Sequence, residues 1–288
     1  MSPRLGLGNT LAHSPKVGGS LLLDKYGDGI YGAYSLRQLR TGVTNVCQCV
    51  RDSDTENPRD FTATELTDGT LTSFGAGTTV RVKTLYDQSG SSPANDATQT
   101  TLTSCPTLVI SGTAQLDGNG LPWMNFDGTD DIIPLNTALP DIDIGNCSSF
   151  VVGKFDVIVS NQDVMFSLGT TSGSKRWYAP TAYASQFNYG YAGTWNIHQE
   201  TQDTNVHLFT TIAGSTQGDW QPFIDGVSKT NKTLVTGGSS GFYGIGGVTS
   251  TTGFALDGKV QEAIIYSADK SVDRSSIESD ILAYYSLD

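Results

Sequence analysis

Apolar and polar positions alternate over short runs along most of the chain, a period of two that predicts strands rather than helices. The runs fall at 43–51 (VTNVCQCVR), 79–87 (TVRVKTLYD), 106–116, LPWMNFDG and 149–159 (SFVVGKFDVIV). They continue through DVMFSLG, RWYAPTAYASQFNYGYAG, 207–214 (HLFTTIAG), WQPFIDGVSKT, GFYGIGG and 259–268 (KVQEAIIYSA). A polar loop, RDSDTENPRD with Pro58, separates the first two. Asp-Gly dipeptides at 28, 68, 117, 127, 225 and 257 punctuate the series. Asp-Gly accepts the positive φ angles of two-residue hairpin turns. The clearest case is Asp225-Gly226, between two extended runs. Short strands, frequent turn signals and no strand–helix alternation predict an all-β, two-sheet antiparallel sandwich.

Helical spacing occurs twice. Within 24–40 a Gly-rich turn leads into a short helical stretch with Tyr34, Leu36 and Leu39 as its apolar contacts. At the end of the chain, Ile277, Ile281, Leu282 and Tyr285 share one face at helical spacing. Ser275 and Glu278 fit a capping box there, with Ser271 and Asp273 as earlier starting points. Residues 1–20 show no period and read as an extended arm, either a disordered tail or a segment that orders on a partner. The domain is then 21–288.

Composition sharpens this picture. Charged residues are only 16% of the chain while glycines number 33, which suits turns and short strands. The net charge of −12 excludes a nucleic-acid partner, because binding there requires clustered cations to displace phosphate counterions. Only five of the 29 acidic residues are Glu, at 56, 65, 200, 262 and 278; the rest are Asp, a residue of turns and caps. Cys47, Cys49, Cys105 and Cys147 are too few for a disulfide scaffold and lack the spacing of a zinc site, so buried free thiols are expected. No run approaches a membrane span, and the N-terminal residues lack a secretory pattern. Synthesis in a cytoplasm is the expectation.

Three segments together resemble the concanavalin A-like or laminin-G-like jelly rolls: MNFDGTDDIIPL (124–135), HLFTTIAG followed by FIDGV, and GFALDGKVQEAIIYSADKSVDRSSIESDILAYY (253–285). The resemblance implies a lectin-like jelly roll with a short N-terminal helix and a C-terminal helix. It specifies fold and leaves function open. YGAYSLRQLR, VCQCVRDSD and VKTLYDQSGSSPANDATQ (82–99) resemble the start of the arabinofuranosidase B catalytic domain. The same signature is also similar to that of lectin-like structural proteins of tailed bacteriophages. In LYDQSG, Asp87, Gln88 and Ser89 are suited to bonding the backbone of a sharp loop, with Gly90 permitting the turn.

Glycoside hydrolysis would need two carboxylates flanking the scissile bond. No counterpart of the enzymes' vicinal cysteine pair and nucleophile region stands out, and a Glu-x-Asp-x-x-Glu signature is absent. Glu262 in KVQEAIIY matches a structural glutamate of the closing strand. His13, His198 and His207 form no metal cluster. Calcium is possible at Asp127, Asp130 and Asp131, with Asp141 and Asp143 as a second group; an acidic solvated loop is the plainer reading of both. No other cofactor is expected. Sugar contact, if there is any, falls to the aromatic stretch 177–195, chiefly Trp177, Tyr178, Tyr189, Tyr191 and Trp195, beside Asn188 and Asn196. The alternative is that these rings fill a core.

The expectation is therefore a non-enzymatic structural protein of a bacteriophage virion. It would display its jelly roll on the particle surface as capsid decoration, tail fibre or receptor-binding module, anchored to other virion proteins by the arm. Its partners would include a host-surface glycan and further copies of itself. The alternatives are an arabinofuranosidase-type glycoside hydrolase and a free carbohydrate-binding lectin.

Overall fold

The computed structural model describes residues 20–92, 94–135, 147–158, 163–169, 176–183, 186–191, 194–212, 221–229, 234–236, 244–247 and 254–287. Over 168–169, 176–183, 186, 188–191, 194–200 and 234–236 the description is of the backbone. Residues 1–19 lie outside the described residues, so of the expected arm 1–20 only Ser20 is described.

Every described strand pair is antiparallel. The large sheet runs, in spatial order, through Val227–Ser228, Gln221–Ile224, His207–Ile212, Ser148–Phe155 and Asp257–Tyr266. It continues through Met124–Asp127, Thr107–Ile110, Val80–Leu85, Cys47–Arg51 and Asp54–Phe61. A smaller sheet contains Asp163–Val164, Arg176–Tyr183, Gln186–Tyr191, Thr194–Thr201 and Leu234–Thr236, in that order. Phe187 ties the two sheets together, with its ring centroid 5.9 Å from Phe155 and 5.1 Å from Phe209.

The strand Asp257–Tyr266 organises the large sheet. One edge pairs with Ser148–Phe155 along its length. Its other edge is shared, Val260 back to Asp257 pairing with Met124–Asp127 and Glu262 on to Tyr266 with Ile30–Ser35. Val152 opposes Glu262 while Gly153 opposes Val260, so Gln261 is an extra residue, a β-bulge. The bulge reverses the alternation. Val260 joins the inter-sheet core on one side of it, and Ala263 and Ile265 join the same core on the other. Gly258 has no side chain because a Cβ there would stand 2.3 Å from the Lys154 carbonyl oxygen.

The outer face of this sheet is divided in two. Ala33, Phe150, Val152, Leu208, Ile264 and Tyr266 meet Ile277, Ile281 and Tyr285 of the C-terminal helix Arg274–Tyr285 in a second core. Burying each of those three helix residues contributes roughly 1.5–3 kcal/mol. Beyond the helix the same face turns polar, and the candidate site lies there.

Four local expectations are corrected. The stretch expected to be helical near Tyr34 is the strand Ile30–Ser35; the short N-terminal helix is Leu22–Lys25. Backbone partners on Asp257–Tyr266 prevail over local propensity there. The polar segment around Pro58 is not a loop but the strand Asp54–Phe61, last in the sheet order, where a missing N–H is tolerated. The capping box does not form: Asp273 is the N-cap residue without a side-chain cap bond, and Glu278 turns to Arg274 instead. Among the Asp-Gly pairs, Asp225 and Gly226 adopt φ of 50° and 74° as a hairpin requires, whereas Asp257-Gly258 lies inside a strand.

The cysteines are free and buried, Cys47 Sγ lying 3.7 Å from Cys49 Sγ. Among the described residues no helix is long and apolar enough to cross a membrane.

Candidate functional site

Three strands carry polar residues at alternate positions where they leave the cover of the C-terminal helix. On this face Ser148–Phe155 presents Lys154 and is followed by Asp156; Asp257–Tyr266 presents Asp257 and Lys259 at its start; Met124–Asp127 contributes Asn125 and Asp127. Antiparallel pairing aligns them, with Lys259 opposite both Lys154 and Asn125, and Asp257 opposite Asp127. Asp156 donates its backbone N–H to the Asp257 carbonyl at 2.9 Å. The result is a row of carboxylates, Asp127–Asp257–Asp156, beside a row of Asn125, Lys259 and Lys154. Their inward neighbours Met124, Phe126, Phe155 and Val260 fill the core, so the backbone under the rows is fixed by packing.

Charge is distributed unevenly across the rows. Lys154 pairs with Asp156 at 2.9 Å, and Lys259 reaches both Asp156 and, at 2.7 Å, the Asn125 side-chain oxygen. Burial opposes ionisation of Asp156, but the two lysines outweigh it and hold the carboxyl below its ordinary pKa. Asp257 is shifted the other way, by burial and then by the charge of Asp156. Behind it, Asp163 is buried and pushed up to about 6 by desolvation, and accepts the Asp257 N–H at 3.3 Å. Neighbouring carboxyls driven in opposite directions can divide the roles of acid and ionised partner. Trp123 closes one end. Lys259 Nζ and Lys154 Nζ stand 5.2 and 5.8 Å from its ring centroid, and its indole N–H is buried without a partner.

Other residues singled out by sequence are placed as follows. Asp127, Asp130 and Asp131 come together at the end of the carboxylate row, with one ligand oxygen from each within 4.8 Å of the others. Trp177 lies opposite Tyr191, Tyr178 and Trp195 both lie opposite Gly190, and Tyr189 is opposite Asn196. Their side chains lie outside the described residues, as do Asp141, Asp143 and His13 entirely. Glu262 is structural, fully buried beneath the helix and bonded to Ser35, Arg37 and Tyr285. The LYDQSG string is architectural, as expected. Asp87 accepts from the backbones of Ala33, Ser89 and Asn95, and Gln88 from that of Leu39.

Trp123, Asn125, Lys154, Asp156, Asp163, Asp257 and Lys259 were missed by the sequence reading. The available signal was three polar pairs at i and i+2, Asn125/Asp127, Lys154/Asp156 and Asp257/Lys259, each interleaved with or next to residues that fill the core.

No protein-family model matches the chain, and no curated protein does. Solved structures match it in fold. An arabinofuranosidase complexed with arabinofuranosyl-α-1,2-xylobiose superposes with a TM-score of 0.64 at 16% identity, covering 90% of this chain and 64% of that one. A mutant GH54 α-L-arabinofuranosidase soaked with 4-nitrophenyl α-L-arabinofuranoside gives 0.60 at 17%, covering 91% and 64%. The chain thus spans a little under two thirds of those proteins. These similarities overturn the expectation that the chain is not an enzyme, because the folds matched over nine tenths of its length are those of glycosidases. The resemblance to the arabinofuranosidase domain acquires a structural counterpart, while that to phage proteins has none among these matches.

Proposed function

We propose that the chain is the β-sandwich unit of a carbohydrate-active protein, a glycoside hydrolase of arabinofuranosidase type, with Asp156 and Asp257 as its reacting carboxylates. The observation that carries this reading is their placement side by side, the Asp156 N–H bonded to the Asp257 carbonyl, on the part of the sheet face beyond the C-terminal helix, where Lys259 also reaches Trp123. The arabinofuranosidases that share the fold lend it support. In the two-carboxylate mechanism one group, as acid, protonates the departing glycosidic oxygen; the other, ionised, attacks the sugar carbon or activates water. Asp257 suits the first role and Asp156, held charged by Lys154 and Lys259, the second. Trp123, half-buried at the edge of the rows, offers a ring for the apolar face of a sugar.

Release of 4-nitrophenol from 4-nitrophenyl α-L-arabinofuranoside by the purified chain tests the proposal. Turnover reduced at least about 100-fold in both D156N and D257N supports it. Turnover that survives both substitutions, or its absence from the unmodified chain, overturns it. Binding of arabinofuranosyl oligosaccharides without turnover would establish the lectin alternative. A virion role with residues 1–20 as a docking arm rests on the LYDQSG resemblance, and that string is occupied in holding its own loop. It is the lesser reading.

A further inference from the structure

We infer that Asp127, Asp130 and Asp131 form a binding site for a calcium-class divalent cation. The three carboxylates each present an oxygen within 4.8 Å of the others. Oxygens sharing one calcium ion at 2.3–2.6 Å lie no more than about 5.2 Å apart, so the spacing suits a common ion. Each carboxylate commits one oxygen to the loop. Asp127 Oδ1 accepts the Thr129 N–H at 2.8 Å, Asp130 Oδ2 the Ser104 hydroxyl at 2.7 Å, and Asp131 Oδ2 the Asp127 N–H at 3.1 Å. Among the described residues, one oxygen of each remains for a ligand.

The observation that separates this loop from an ordinary acidic turn is the other oxygen of Asp131. Asp131 is only 2% exposed, and its Oδ1 is buried with no hydrogen-bond partner. A buried acceptor without a donor is destabilising unless something fills its place. Among the described residues no protein cation is hydrogen-bonded to Asp131 Oδ1, although the charge of Arg81 is felt there. Arg81, on the neighbouring strand, spends its guanidinium on Asp52 at 2.8 and 3.3 Å and on the Cys105 carbonyl at 3.2 Å. Asp127 and Asp130 are exposed, which leaves the open side to water, the usual completion of a calcium shell. An all-oxygen, all-carboxylate donor set favours a hard cation over zinc or copper. The larger ion is favoured over magnesium, which takes one or two carboxylates and retains its water.

Calorimetric titration of CaCl2 into the chelator-treated full chain, repeated with MgCl2, tests the inference. The expected result is one calcium site, at least tenfold weaker in D130N and in D131N, unchanged in D68N, and at least tenfold selective over magnesium. Asp130 is exposed, so D130N keeps the test decisive if D131N does not fold. Calcium should also raise the thermal midpoint of the unmodified chain and leave that of D130N in place. No heat with calcium, equal affinity for magnesium, or wild-type titration by D130N overturns the assignment. Calcium binding is read directly, so its failure leaves the hydrolase reading standing.

Discussion

Arg37 and Glu262 form a buried two-point ion pair beneath the C-terminal helix, Nε to Oε2 at 2.6 Å and Nη2 to Oε1 at 2.8 Å. Glu262 also accepts from the Ser35 and Tyr285 hydroxyls, and Arg37 lies 4.3 Å from the Tyr284 ring centroid. Strand, loop and helix are therefore joined through one carboxylate. Burial works against the Arg37 charge, but Glu262 more than offsets it and raises the guanidinium above its ordinary pKa. Removing one partner leaves the other charged in a dry environment. R37A is expected to lower stability by about 3–5 kcal/mol, read from urea unfolding.

His207 bridges two carboxylates, Asp225 at 2.6 Å and Asp203 at 3.0 Å. Burial lowers its pKa, but the bond to Asp225 and then that to Asp203 outweigh burial and raise it above the ordinary 6.5. A raised folded pKa contributes stability that is complete below the unfolded value and lost as pH rises through the folded one. The urea midpoint should therefore fall as pH rises from about 6 through the folded His207 pKa. In H207Q that fall should be shallower, with the raised carboxyls Asp131 and Asp163 contributing what remains.

Gly90 and Asp87 hold the LYDQSG loop by different means. Gly90 has φ of +80°, and a Cβ there would lie 1.8 Å from Arg40 Nη1. G90A combines backbone strain with displacement of that side chain, and about 1–3 kcal/mol of lost stability is expected by thermal melting. D87A removes an acceptor that serves three backbone N–H groups as well as the Ser89 and Ser91 hydroxyls. With each stranded donor worth about 1–3 kcal/mol, its effect should exceed that of G90A.

Lys259 keeps Asp156 charged, so K259M should raise the Asp156 pKa. If Asp156 acts in its ionised form, the acid limb of the pH–rate profile moves to higher pH in this variant. An unmoved acid limb would remove Lys259 from that role.

Features governed by short-range rules were legible in the sequence. The Asp225-Gly226 hairpin follows from which residues accept positive φ, and the buried face of the C-terminal helix from its spacing. The small polar side chains of LYDQSG bond nearby backbone wherever the loop lies, so their architectural role could be read locally. Short-range reading failed where a distant partner decided the outcome. Ile30–Ser35 is a strand because Asp257–Tyr266 pairs with it, and the Pro58 segment is a strand because an edge position was open to it.

The same division applies to the candidate site. Sequence by itself determined an all-β antiparallel chain, its closing helix and the grouping of Asp127, Asp130 and Asp131, because those acids lie within five residues of one another. Tertiary structure alone decided that Trp123, Lys154, Asp156, Asp257 and Lys259 share one surface. Their order in the chain leaves gaps of tens of residues, closed only by the pairing of three strands. The bulge at Gln261 then sets which side chains of the central strand face the helix and which face the core. Alternation along a strand shows that two faces exist; which face is covered depends on what packs there.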